Sequence, residues 1–385
     1  MSSWCSRTLA LCLSIVSLSF DKGFSHLLPT FMNEAQAPAI ERLVRQRWPG
    51  AETAALARLA GDFSTRRYLR ATLSGAGAPP TIVVMLFSGA GLPLSSEELG
   101  VLPETPRELP FVDVHRLLTS IGVPVPAIYL ADVEAGIIML EDGGDVLLWD
   151  RVAAEPAEAE AVYRRALDVL VMLHTRGTRS RERTSIAFKQ RFDARLYQWE
   201  LEHFLDYGVE RRLGAPLDRR VRGRFQASFD LLTARLAALP VVLSHRDFHS
   251  WNILMRGDEP LVIDFQDALL AAAEYDLASL LTDRVTPRIV TPPMEASLLA
   301  HYWAARGERL DGERRERYLL TALHRALKVI GRIHYVAIEK HKTAPLAFLP
   351  DVVGTVRRLL AELELLGGLA EEFAALPWPS DPSGP

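Results

Sequence analysis

Apolar and polar positions along this chain follow two periods, one giving way to the other near its middle. Residues 38–48 carry Ile40, Leu43, Val44 and Trp48 on one helical stripe, and Pro49-Gly50 ends it. After a second short element, the turn-prone Gly61-Asp62-Phe63-Ser64 leads into an alternating segment through Arg66, Arg67 and Arg70. Residues 81–87 form a continuous β-rich run between Pro79-Pro80 and Ser88-Gly89-Ala90-Gly91. A helical period returns over 111–121, with Val112, Leu117 and Leu118 as core candidates, and 125–130 and 136–140 read as strands. The first part is expected to be a small antiparallel sheet crossed by a helix.

From residue 155 the period is helical, with Val162, Ala166, Val169, Leu170 and Leu173 along one face. Residues 221–239, 275–281 and 296–303 continue it, and Trp199 and Phe204 sit at helical spacing that reads as core rather than as a sugar-stacking platform. Two strands interrupt, 253–255 and 261–264, around the turn Arg256-Gly257-Asp258-Glu259-Pro260. The expected division is 1–31 as a leader or over-extended start, 32–143 as a sheet unit, 144–376 as a helical unit and 377–385 as a flexible tail. Arg7 before the apolar stretch 9–20 is laid out like a signal peptide, but no small-x-small cleavage site is evident near Ser25. The stretch is too short to span a bilayer. A true start at Met32 is the preferred reading.

Composition narrows the chemistry. The chain has 385 residues, 49% hydrophobic and 24% charged, with a formal net charge of −4, and basic and acidic residues are intermixed. Nothing in that balance calls for nucleic acid or a membrane surface, so a small-molecule partner is expected. Cys5 and Cys12 are the two cysteines, which leaves the globular body without thiol chemistry. Only five lysines occur, Lys22, Lys189, Lys328, Lys340 and Lys342, so arginine carries nearly all the positive charge.

The informative stretch is Ser244-His245-Arg246-Asp247-Phe248-His249-Ser250-Trp251-Asn252, followed by the hairpin and by Val262-Ile263-Asp264-Phe265-Gln266-Asp267. Phosphoryl transfer needs a carboxylate that orients an attacking hydroxyl, and hard oxygen ligands that hold magnesium on the phosphates. Asp247 fits the first role, while Asn252 and Asp264 fit the second, because the hairpin folds away the distance between them. An apolar run before the motif, the hairpin after it and an aspartate at the second strand's end make coincidence a poor explanation.

These segments resemble the catalytic and metal-binding loops of the aminoglycoside phosphotransferase superfamily, and more narrowly the bacterial anomeric sugar kinases acting on N-acetylmuramate and N-acetylglucosamine. GDFSTRRYLR, MLEDGGD and HRALKVIGRIHYVAIEKHK extend the likeness over roughly residues 38–366. The resemblance implies an α+β, bilobal, protein-kinase-like fold using ATP and Mg2+, with a small-molecule sugar as acceptor, and the need for ATP makes a cytoplasmic location the expectation. It implies that Asp247 is the catalytic base, that Asn252 and Asp264 are magnesium ligands, and that Asp276 holds the catalytic loop. It places Arg325 and Lys328 near a helix bordering the acceptor site.

Other roles rest on position. His245 reads as a structural histidine bonded to backbone, Asp267 as a support of the metal loop, and His249 as either a substrate contact or packing. A kinase-like fold usually has a lysine on the third strand, but Met85 stands near that place. At least one of Arg66, Arg67 and Arg70 is therefore expected to contact phosphate, after a turn containing Ser64. Met139, Leu140 and Glu141 are the expected hinge against adenine, and Glu104 or Glu108 the regulatory-helix glutamate. Gln266 where a protein kinase has glycine, with no room for an activation segment, argues against a polypeptide substrate. Two competitors stand beside the sugar kinase: an aminoglycoside or other small-alcohol kinase, and a nucleotide-binding pseudokinase with a regulatory role.

Overall fold

The structure is a computed structural model that describes residues 36–59, 66–87 and 108–378. The readings for 1–31 and Met32, for the turn with Ser64, for Glu104 and for the tail beyond Trp378 lie outside the described residues. The described residues fall into two compact units.

The smaller unit is a helix on a sheet. It contains α1 (Gln36–Arg47), β1 (Glu52–Arg58), β2 (Arg67–Ser74) and β3 (Thr81–Leu86). After α2 (Pro110–Ser120), which belongs to the other unit, the sheet is completed by β4 (Ile128–Asp132) and β5 (Ile137–Glu141). The strand order is β1-β2-β3-β5-β4, and every pairing is antiparallel. Strand alternation sends Leu69, Ala71, Leu73, Ile82, Val84, Leu86, Ile137 and Met139 to one face, where Ile40, Leu43, Val44 and Trp48 of α1 cover them. Gly75 makes the β2–β3 turn at φ +118°, and a Cβ there would meet the Gly50 carbonyl oxygen at 2.1 Å.

The larger unit adds α3 (Leu148–Ala154), α4 (Ala159–Met172), α5 (Ala194–His203) and α6 (Arg219–Ala237). Four short strands follow, β6 (Val241–Ser244), β7 (Ile253–Arg256), β8 (Glu259–Val262) and β9 (Leu269–Ala272). The chain ends in α7 (Ala273–Leu281), α8 (Pro292–Ala305), α9 (Gly312–Glu339), α10 (Leu349–Glu362) and α11 (Gly367–Ala375). Both α4 and α5 run on into π-helical turns, Leu173–Gly177 and Phe204–Arg211. The second turn crosses α9 so closely that a Cβ on Gly331 would lie 2.9 Å from Phe204 Cα.

Two sequence expectations change here. The helix over 111–121 was assigned to the sheet unit, but α2 packs in the larger unit. Its Phe111 ring lies 4.8 Å from Phe265, and its Asp113 carboxylate accepts from Ser185 Oγ and Ile186 N. The boundary at residue 143 therefore misses an excursion of the chain into the second unit before β4. Pairing also differs: β7 and β8 form the expected hairpin, whereas β6 pairs with β9, a four-residue apolar run too short to be told from helix by periodicity. Phe204 is fully buried, as read, whereas Trp199 is 39% exposed and stacks on His203. Among the described residues no helix is long and apolar enough to cross a membrane.

Candidate active site

Strand β6 delivers the chain into the site, and a buried carboxylate at the start of α7 turns it. Asp276 is fully buried and accepts four hydrogen bonds: Ser244 Oγ at 2.7 Å, His245 N at 2.7 Å, Arg246 N at 2.9 Å and His174 Nε2 at 3.0 Å. Burial works against its charge, yet the His174 hydrogen bond leads the effects that pull its pKa below the ordinary value. Burial pushes the pKa of His174 down in turn. Its Nε2–H donates to the Asp276 carboxylate, and its Nδ1 faces the Tyr302 hydroxyl at 2.6 Å. Arg246 then adopts φ 78°, a left-handed conformation unusual for a long side chain. Its carbonyl is held by the Arg325 guanidinium at 3.2 Å.

This turn presents Asp247. Its side chain is 35% exposed, and no hydrogen bond to its carboxylate occurs among the described residues. Arg325 Nη2 stands 3.8 Å from Asp247 Oδ1. Partial burial favours the neutral acid, but Lys328, Arg246 and Arg325 outweigh it and hold the carboxyl well below the usual carboxylate range. The Asp247 carbonyl accepts from Asn252 Nδ2 at 3.0 Å, and the Asn252 carbonyl accepts from Ile263 N at 3.0 Å, which sets Asp264 beside Asn252. Asp264 is left-handed too, at φ 60°, with its Oδ1 taking a hydrogen bond from Gln266 Nε2. Asp247, Asn252 and Asp264 are thus brought together.

The remaining expected residues divide. His245 is buried and bonds the Ile263 carbonyl through Nε2 at 2.9 Å, tying the loop to the hairpin. Asp267 closes the 3-10 turn Phe265–Asp267 after Asp264. His249 lies in the same loop, its Nε2 facing Asn252 Nδ2 at 3.4 Å. Arg325 is buried and Lys328 largely so, both on α9: Arg325 lies over the Tyr275 ring at 4.7 Å, and Lys328 Nζ reaches the Tyr275 hydroxyl at 3.1 Å.

In the sheet unit Arg67 and Arg70 lie on opposite faces of β2, and Arg66, just before the strand, is buried. Arg70 binds Asp142 with two hydrogen bonds, 2.7 Å and 2.9 Å. Met85 is buried on β3. Met139 and Leu140 lie inside β5, paired with β3 on one side and β4 on the other, and the Met139 side chain belongs to the core that α1 covers. Glu141 ends that strand, its Oε2 accepting from Ala127 N. The extended segment beyond the sheet starts at Asp142. Glu108 is engaged locally by Arg116 of α2.

One residue of the site escaped the sequence reading. Glu200, fully buried on α5, pairs with Lys328 Nζ at 2.6 Å, lies 4.0 Å from Arg246 Nη2 and accepts from the Tyr275 hydroxyl at 3.3 Å. The available signal was an acid between Tyr197, Leu201 and Phe204 on the apolar face of a helix, which requires a buried cation.

The described residues hold no cluster of three His, Cys, Asp or Glu side chains able to bind a metal. The residues do fit an ion completed by phosphate oxygens: Asn252 directs its Nδ2 to the Asp247 carbonyl, so its Oδ1 is the hard oxygen that would join the Asp264 carboxylate as a ligand.

The Phosphotransferase enzyme family (APH) matches residues 55–319. The chain is 28% identical over 345 residues to an N-acetylmuramate/N-acetylglucosamine kinase of Pseudomonas aeruginosa, covering 88% of this chain and 93% of the relative. A protein of that name from Neisseria meningitidis serogroup B is 30% identical over 226 residues, 58% of this chain and 60% of the relative. Among solved structures, a choline kinase from Cryptosporidium parvum superposes with TM-score 0.56 at 12% identity, over 87% of this chain and 98% of its own. An amicoumacin kinase bound to AMP-PNP and Ca2+ gives TM-score 0.56 at 14% identity, over 93% and 98%. A shared protein-kinase-like fold, with a family match running from β1 to α9, makes this chain a member of the phosphotransferase enzyme family.

Proposed function

We propose that the protein is a cytoplasmic kinase that moves the γ-phosphoryl group of ATP to the anomeric hydroxyl of an N-acetyl amino sugar, N-acetylmuramate or N-acetylglucosamine. The carrying observation is the Asp247 carboxylate, kept ionised by Lys328, Arg246 and Arg325 and left without a hydrogen bond among the described residues. Asn252 and Asp264 would hold Mg2+, which when bound neutralises phosphate charge and aligns the triphosphate. A hydroxyl on Asp247 donates its hydrogen bond to the carboxylate and points its lone pair at phosphorus. As the sugar oxygen bonds phosphorus, the bond to the ADP oxygen breaks and the hydroxyl proton passes to Asp247.

A carboxyl held below its ordinary range is a weak base. It suits a reaction in which the proton leaves late, when the bond to phosphorus is nearly made. An anomeric hydroxyl is more acidic than an ordinary alcohol and so asks least of that base. Relatives matching along most of the chain carry N-acetylmuramate/N-acetylglucosamine kinase names, which supports this acceptor. At least one of Arg66, Arg67 and Arg70 contacts phosphate in place of the absent strand lysine, and the extended segment after β5 meets the adenine.

The test is incubation with ATP, Mg2+ and N-acetylmuramate, N-acetylglucosamine, kanamycin or choline, with phosphorus NMR of the products. The expected product is a sugar 1-phosphate. Phosphate only on kanamycin or choline overturns the acceptor, and nucleotide binding without turnover of any acceptor returns the pseudokinase reading.

A further inference from the structure

Just past α7 the chain places Asp283 and Arg284 against the catalytic loop. The Arg284 guanidinium lies 4.8 Å from the Trp251 ring centroid and 6.0 Å from that of Phe348. Those two rings meet edge to face at 6.3 Å. Neighbouring cations have acids: Arg288 pairs with Asp351, Arg325 faces Asp247, and Lys328 pairs with Glu200. Arg284 has no carboxylate partner among the described residues, and its Nε is buried without a hydrogen-bond partner.

Further buried polar atoms in this neighbourhood are equally unmet among the described residues, His249 Nδ1, Trp251 Nε1 and Asp283 Oδ2 among them. Native interiors rarely leave such atoms alone, so four from two adjoining loops mark a place where a polar ligand completes the set. The patch adjoins the reacting centre, since His249 is two residues from Asp247 and feels the charges of Asp283, Arg284 and Asp247 together. Its chemistry is that of a sugar-acid site. Indole and phenyl faces accept the apolar side of a pyranose, the unmet donors and the Asp283 oxygen suit hydroxyl and amide groups, and a guanidinium on an aromatic face keeps its N–H edges open to a carboxylate.

We propose that Arg284, seated on Trp251 and Phe348, recognises a carboxylate carried by the acceptor sugar and so sets the preference for N-acetylmuramate over N-acetylglucosamine. The two differ by a lactyl ether whose carboxylate is the only charge on either. The inference rests on the amino-sugar kinase reading above, and wild-type protein inactive on both sugars overturns both together.

With an active enzyme, kcat/KM is measured for both sugars by coupled ADP release. In Arg284→Gln the ratio of kcat/KM for N-acetylmuramate over N-acetylglucosamine falls by about tenfold or more, chiefly through the N-acetylmuramate KM, and Arg284→Lys recovers part of it. A ratio unchanged in Arg284→Gln, with both sugars affected equally, overturns the proposal. A second measurement needs no variant: the methyl ester of N-acetylmuramate loses its advantage over N-acetylglucosamine on the wild-type enzyme. An ester as good as the free acid also overturns the proposal.

Discussion

The Asp276 hub offers the sharpest test of how this loop is built, through the near-isosteric change Asp276→Asn. In the native site Oδ2 takes three donors, Ser244 Oγ, His245 N and His174 Nε2, while Oδ1 takes Arg246 N. The best asparagine orientation keeps its oxygen on the three and turns an amide N–H toward the Arg246 N–H. One charge-assisted bond is replaced by two facing donors, and the three survivors lose their ionic component. Losses of about 1.5–3 kcal/mol for the first and a smaller sum for the rest give roughly 3–5 kcal/mol. Against a typical stability of about 5–15 kcal/mol this is a large loss. It concentrates on Arg246, whose left-handed conformation costs on the order of 1–3 kcal/mol and is held at its N–H by this carboxylate. We expect a lower urea midpoint with an unchanged slope, and a kcat reduced more than about tenfold as Asp247 loses its fixed position. Ser244→Ala, which removes one donor and leaves the carboxylate its other three, costs about 1 kcal/mol. An Asp276→Asn variant within about 1 kcal/mol of wild type and equally active would refute the reasoning, since no common hub could then exist.

Asp247→Asn should lower kcat by about 10²–10⁴ while changing nucleotide affinity little, as calorimetry with a non-hydrolysable ATP analogue would report; equal loss of nucleotide binding reassigns the residue. Gly331→Ala brings a Cβ to 2.9 Å from Phe204 Cα and 3.0 Å from its N. The clash costs about 1–3 kcal/mol against about 1 kcal/mol gained in helix propensity, so net destabilisation in urea is expected and a stabilised variant refutes the close crossing. His324 is driven down to about 3, by burial first. The unfolded chain therefore binds a proton that the native state refuses between about pH 6.5 and 3, and stability present above that window falls with pH by up to about 1.4 kcal/mol per unit. His324→Gln should flatten the slope of urea stability between pH 7 and 5, and a slope as steep as wild type speaks against it.

What could be read in advance follows from where information is local. The α1 stripe and the strand alternation of β2 and β3 repeat within one element, so Ile40, Leu43, Val44 and Val84 announced their burial before any partner was known. Asp247, Asn252 and Asp264 were also legible, because a tight loop and a hairpin leave one way to gather them. Pairing was less so. Nothing in Met139-Leu140 reveals that β5 has neighbours on both edges, and nothing in α2 says that Phe111 will meet Phe265 far along the chain. Arg325 and Lys328 entered only through family likeness, since a cation three residues from another on a long helix is ordinarily solvated.

Glu200 shows what joint reading would have gained. A buried acid on α5 requires a buried cation, and a chain this poor in lysine offers few, of which Lys328 lies one helical turn from Arg325 on α9. Their pairing seats in the interior one of the cations that keep Asp247 ionised. Glu200 fixes Lys328 and faces Arg246, so those cations can sit in the interior at all. With Arg325 added, three positive groups stand around Glu200 and Asp247, and together they hold the Asp247 carboxyl below its ordinary range. Removing the Glu200 charge would therefore not strengthen the field on Asp247. It would strand two buried cations, and the chain would relieve them by moving the very groups that keep Asp247 charged.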